Sequence, residues 1–231
     1  GRSKRTAMAA LVGVYGPASA ARRVIEGVNR MHARVQGATP DGTPYRALDP
    51  ELLDWVSATA VWGFLEASHG FVAPVSDDDR ATYFRESGPV ARLYGVQQTL
   101  SCDADFFTML ERLAPRFEPH AITGEFLDII ATGKATPNVP RRLTRSLARA
   151  AVSLLPPLVR ERLELGIEWQ ISTADRLALR AMAKVAELLP ASDSPALQAP
   201  LRYGLPSTYC FKSRAAQKRL LALAGLTTAA T

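Results

Sequence analysis

Cysteine and histidine are both scarce: two and three of each in 231 residues. Cys102 and Cys210 lie far apart and no Cys-x-x-Cys occurs, which excludes a zinc knuckle or a thioredoxin-type site. The expected state is two free, buried thiols in a reducing compartment rather than one long-range disulfide. His32, His69 and His120 include no pair at i,i+4 and no His-Glu-x-x-His, so no zinc site built from neighbouring ligands is expected. A Gly-rich phosphate loop, a Gly-x-Ser-x-Gly elbow and the Glu-x-x-His pairs of di-iron bundles are also missing. No apolar run approaches the roughly 20 residues of a membrane span. Sustained period-two alternation and fixed-period repeats are absent, which argues against sheets and solenoids. The N-terminus has neither a signal-peptide pattern nor Met, so a cytoplasmic location is expected and Gly1 is not expected to be the natural start.

Charge is present without concentration. The net value is +6, carried mostly by Arg and spread along helical patterns, with small clusters at Arg141–Arg149 and Lys212–Arg219. These read as solvated helix faces, and no nucleic-acid partner is expected. A nucleic-acid binder using Arg141–Arg149 is the weaker reading, with steep salt dependence as its signature. Hydrophobic residues make up 47% and charged residues 22%, enough apolar side chain for one large domain across residues 1–231 and marginal for two.

What remains is helix. Ala7, Ala10, Leu11 and Val14 recur at helical spacing from Arg2 onward, and Gly16-Pro17 ends that element. A second helix runs from about Ala18 to Gln36, with Val24, Val28, Met31 and Val35 as its inward stripe and Ile25 and His32 on the edge. Residues 37–50 read as a loop through Pro40-Asp41-Gly42. Asp49-Pro50-Glu51 starts a helix to about Gly70 that is apolar nearly all round. Further helices are expected from Ser76-Asp77-Asp78-Asp79 through Phe84, over Val90–Tyr94, Ser101–Leu113, Phe126–Ala131, Arg141–Leu155, Leu158–Gly166, Ala174–Leu189 and Cys210–Leu223. A proline-rich surface connection spans 190–206. The fold class is all-α: a single domain of eight to ten helices, globin-like in class.

His69 beside Gly70 and His120 after Pro119 read as surface or capping residues. His32 lies beside an apolar stripe. A buried histidine held by a carbonyl or carboxylate accounts for it, as does a single axial ligand to a haem iron. Arg2 lies about 18 Å before Val14 and His32 about 21 Å after Ala18, at roughly 1.5 Å per helical residue. Antiparallel packing of the first two helices brings Arg2 and Thr6, one turn apart on one face, level with His32. The alternative for Arg2–Arg5 is a basic, frayed end.

Three stretches carry a resemblance. They are Arg2-x-x-x-Thr6, then Val28-x-x-x-His32-x-x-Val35-x-Gly37, then Gly42-x-x-Tyr45-x-Ala47-x-Asp49-Pro50-x-Leu52-Leu53-x-Trp55-Val56. In order and spacing they resemble the haem-b oxygenases of the latex clearing protein and MpaB family. Leu154-Leu155-Pro156-x-Leu158-Val159-Arg160 and Gly166-x-x-Trp169 are similar to the family's later part. The resemblance implies haem b as cofactor, His32 as iron ligand, and Arg2 and Thr6 beside the haem pocket, with Arg2 bonding bound oxygen or a propionate. Arg5 falls where rubber-cleaving members place a lysine near the iron, and a guanidinium is a poor ligand. The implied reaction is O2-dependent oxidative cleavage of a carbon–carbon double bond in an apolar, isoprenoid-like substrate. It also implies a segment upstream of Arg2 that walls the pocket. Ser57 stands where many members carry histidine.

A haem slot requires the first two helices to stand further apart near Arg2 than the usual 8–10 Å. The competing function is a non-catalytic helical binding module, with Trp55, Trp62 and Phe64 lining a pocket for a hydrophobic ligand.

Overall fold

Good helix formers punctuated by Pro, Gly and Asx caps give helices joined by short turns, and the computed structural model is built that way. It describes residues 2–39, 42–134, 136, 138–189 and 191–226, without the side chains of residues 2–4. Pro40 and Asp41 of the expected turn lie outside the described residues. Eleven α-helices are formed among the described residues, one more than the expected range, so the all-α class holds.

The helices are α1 (Arg2–Tyr15), α2 (Ala18–His32), α3 (Pro50–Ala67), α4 (Asp77–Leu93), α5 (Asp103–Leu113) and α6 (Ala121–Ala131). They continue with α7 (Arg141–Leu154), α8 (Pro157–Arg162), α9 (Thr173–Leu188), α10 (Pro195–Gln198) and α11 (Arg214–Leu223). Residues 37–50 are not all loop. Strands β1 (Gln36–Ala38) and β2 (Pro44–Arg46) form an antiparallel hairpin with Gly37 opposite Tyr45. Three residues per strand are too few for a visible alternation, which is why periodicity missed them.

The chain divides into two compact units, Gly1–Ile25 with Lys184–Thr231, and Glu26–Ala183. In the first, α1 packs against α10, and Arg202 donates to the Tyr15 carbonyl. The expected inward stripe of α1 is not inward: Leu11 and Val14 are exposed, and Ala9 is the buried position. Short helix α10 and a 3₁₀ turn, Pro200–Tyr203, occupy the stretch expected as plain connection, and a second turn, Ser207–Phe211, follows it. Cys210 sits in the second turn rather than in α11, and both cysteines are free and exposed, not buried.

The second unit is organised on α3, which packs against α4, α5 and α7, while α6 packs on α7. Asp49 caps α3 as its sequence implies, its carboxylate accepting the N–H groups of Glu51 at 2.9 Å and Leu52 at 3.3 Å. Trp55 and Trp62, two turns apart, both stack on Phe106 of α5, with centroids at 6.0 and 4.4 Å and planes within 11° and 3°. Leu110, Phe84 and Ala58 complete the centre of that core.

Helix α4 is continuous where two pieces were expected. Pro89 removes one donor from it. Phe84, Gly88 and Ala91, one buried face on both sides of the proline, hold the helix together. Helix α6 begins five residues before its expected start because the His120 Nδ1 accepts the Ile122 N–H at 3.1 Å. At the end of α3 the chain widens into one π-helical turn, Ser68–Val72, where His69 Nδ1 accepts the Val75 N–H at 3.1 Å. His120 is therefore a capping residue and His69 an exposed one that ties down the following loop, in line with the surface or capping roles expected.

Candidate functional site

Helix α2 carries the site. The expected stripe is covered only in part: Val24 and Val28 are half-buried, whereas Met31 and Val35 are 49% and 39% exposed. The buried side chains of α2 are Ala21 and Ile25, and half-buried Asn29 and His32 follow on that side at steps of four and three residues.

Asn29 ties the helix down. Its Nδ2 donates to the Leu93 carbonyl at 2.9 Å, at the C-terminal end of α4, where helix carbonyls lack intrahelical partners. Asn29 Oδ1 and His32 Nδ1 are both buried, and neither has a hydrogen bond among the described residues. A buried polar atom left unpaired costs roughly 1–3 kcal/mol. Two of them one turn apart on one helix face need a reason.

The chain beyond His32 is fixed in place. The N–H of Val35 bonds the His32 carbonyl at 2.9 Å, and the N–H of Ala47 bonds the Val35 carbonyl at 3.0 Å. A Cβ at Gly37 would sit 2.9 Å from the Tyr45 hydroxyl, so only glycine lets that ring lie across β1. The hairpin therefore closes directly against the end of α2 and hands the chain to the Asp49 cap of α3.

On α3 the structure reveals a residue the sequence reading passed over. Asp54 is buried, and its Oδ1 accepts the N–H groups of Gln97 at 2.7 Å and Gln98 at 3.2 Å. This carboxylate pins the segment after α4 to α3. An acid in a helix otherwise apolar nearly all round was the available signal. Ser57 is half-buried on the same helix.

Arg5 and Thr6 are exposed on α1, and the Arg2 side chain lies outside the described residues. These three belong to the first compact unit and His32 to the second. Among the described residues no three His, Cys, Asp or Glu side chains converge as metal ligands. His32 is a lone imidazole.

The pocket expected of a binding module is not formed among the described residues. Trp55 and Trp62 are filled by Phe106 and Phe117, and Phe64 is exposed on the other side of α3. An open cavity of about 350 Å³ in the second unit lies between Pro119–Gly124 and Leu163–Trp169, and His32 does not line it. Arg149, in the basic cluster of α7, donates through Nε to the Glu168 carbonyl at 3.0 Å. No helix is long and apolar enough to cross a membrane among the described residues.

Residues 1–188 match a model of oxygenase catalytic domains. That sets the class: an oxidoreductase that takes O2. The family is described as ER-bound oxygenase mpaB/B'/rubber oxygenase, catalytic domain, and the chain belongs to it. No curated protein and no solved structure matches the chain.

Proposed function

We propose that this protein is a haem-b-dependent oxygenase in which His32 is the axial ligand and the substrate is apolar and isoprenoid-like. The observation that carries the reading is the His32 ring. It faces inward, Nδ1 is buried without a partner, and neither nitrogen is hydrogen-bonded among the described residues. A neutral imidazole is the commonest metal ligand, and one such ligand suffices for haem. The residues fit the group. His32 supplies a lone imidazole, and half-buried Val28, one turn earlier on the same side of α2, supplies apolar surface beside it. Bound there, haem supplies an iron centre able to activate O2.

His32 holds and orients the cofactor, and the Asn29–Leu93 bond and the β hairpin keep α2 in place behind it. On the family resemblance, Arg2 and Thr6 stand beside the haem and provide hydrogen bonds to propionate or oxygen. Arg5, permanently charged, acts there as a cation and not as a ligand. Cleaving a carbon–carbon double bond with O2 places one oxygen atom in each carbonyl product and needs no external reductant. A hydroxylation consumes two electrons from a donor and releases water. The reading as cleavage thus requires turnover without added reductant.

The test is the visible spectrum and iron content of the full chain after haem addition. A Soret band and about one iron per chain are expected, both lost in His32→Ala. Equal haem content in that variant overturns the ligand assignment.

A further inference from the structure

We propose that Asn29 is the positioning residue that sets the tautomer of His32. The Asn29 carboxamide oxygen accepts a hydrogen bond from Nδ1–H and leaves the lone pair on Nε2. Asn29 Oδ1 is an acceptor without a donor, and His32 Nδ1 is a nitrogen without a partner. Both are shielded from bulk solvent, so each needs a partner inside the fold. They lie at i and i+3 of one helix, where side chains are neighbours about 5–6 Å apart at Cβ. One proton, on Nδ1, satisfies both atoms with a turn of the imidazole. A proton on Nε2 instead leaves two lone pairs facing a buried space with no donor.

The orientation of the amide is not free. Its Nδ2 donates to the Leu93 carbonyl at 2.9 Å. The flipped amide would set oxygen against oxygen there, so Oδ1 is held on the remaining side. Leu93 is the last residue of α4 and its carbonyl lacks a helical partner, which keeps it available. The chain of contacts runs from the α4 terminus through the Asn29 amide to the imidazole.

Nδ1 is the buried nitrogen; Nε2 is not among the buried unpartnered atoms. The nitrogen left able to bind a metal is thus the one with access. Metal-bound imidazoles nearly always donate their second N–H to an acceptor, which fixes the ring and raises its basicity. Here a side-chain amide takes that place. This consequence for the cofactor rests on the proposed axial role of His32, whereas the tautomer itself belongs to the haem-free chain.

The experiment is a long-range proton–nitrogen correlation spectrum of the haem-free full chain, labelled with 15N-histidine, above the ordinary histidine titration range. His32→Gln assigns the His32 signals. The wild type is expected to show His32 as the Nδ1–H form, and Asn29→Leu to shift it towards Nε2–H. An Nε2–H wild type, or the same Nδ1–H form in folded Asn29→Leu, overturns the proposal. The wild-type arm needs no substitution, so it decides even where Asn29→Leu does not fold. In a parallel titration with haem, Asn29→Leu is expected to bind about 10–100-fold more weakly than wild type. Unchanged haem affinity overturns the proposed effect on the cofactor. Undiminished haem binding by His32→Ala instead overturns the axial role and leaves the tautomer result standing.

Discussion

Two regions of the larger unit follow opposite rules. Around Phe106 every surface is matched: Trp55 and Trp62 stack on it, Phe107 meets it edge-on at 5.4 Å, and it is 2% exposed. Around His32 the polarity is inverted. Polar Asn29 and His32 face inward with unpaired atoms, while apolar Met31 and Val35 face outward. The first arrangement stabilises the chain by itself. The second stabilises little and gains by covering its open apolar surface and pairing its imidazole. Local disagreement between residue type and position is expected at functional sites, and two of the three buried unpaired side-chain atoms among the described residues lie one turn apart on α2, the third being Arg160 Nε.

The strongest way to break this contrast is at Phe106. Phe106→Ala is expected to lower stability by about 3–5 kcal/mol, because the two indoles cannot both collapse into the space. Urea denaturation checks it. A loss below about 1 kcal/mol would mean that the aromatic stack is not the keystone of the unit. Haem binding by the folded fraction should be unaffected, since Phe106 does not adjoin α2 in the chain of contacts from Leu93 to His32.

His32→Leu should act more weakly. It removes the Nδ1–H proposed to pair with Asn29 Oδ1 and leaves that buried amide oxygen unpaired, a cost of about 1–3 kcal/mol. Haem binding is lost outright while the chain still folds. No loss of stability in the same denaturation experiment would show that the imidazole is not the partner of the Asn29 amide.

The legible parts of the sequence were those set by local chemistry. Asp49-Pro50 and Ser76 with three aspartates start α3 and α4 as written, because capping and helix-dipole effects act within one turn. Helical periodicity placed His32 on α2. Less legible was anything decided by distant packing. Leu11 and Val14 read as core, yet burial in α1 falls on Ala9, since periodicity does not say which face meets a partner. The helix from Ser76 was expected only through Phe84, with a further piece at Val90–Tyr94, and the buried face of Phe84, Gly88 and Ala91 joins the two across Pro89. Asn29 and Asp54 were invisible as inward residues. Each is polar at a position whose burial depends on contacts 64 and 43 residues away.

The smallest effect tests a local rule in the well-matched region, at the start of α5. Asp105 accepts the Ser101 hydroxyl and the backbone N–H groups of Ser101 at 2.7 Å and Cys102 at 3.2 Å. The Ser101 hydroxyl first, then its N–H, hold the Asp105 carboxyl below the ordinary carboxylate range. A depressed folded value means the stabilisation is fully present above the unfolded pKa of about 3.9 and is lost as pH falls through the lower folded value. The group is mostly solvated, so the effect is that of a helix cap, about 0.5–1 kcal/mol. Urea midpoints measured from pH 7 down to about pH 3 should fall less steeply in Asp105→Asn than in wild type, because the variant has no carboxylate to protonate. Parallel acid slopes would show that Asp105 is not held below its ordinary value. The acid sensitivity of the unit would then have to come from other carboxylates, such as Asp175, which the Ser172 hydroxyl holds below the ordinary range.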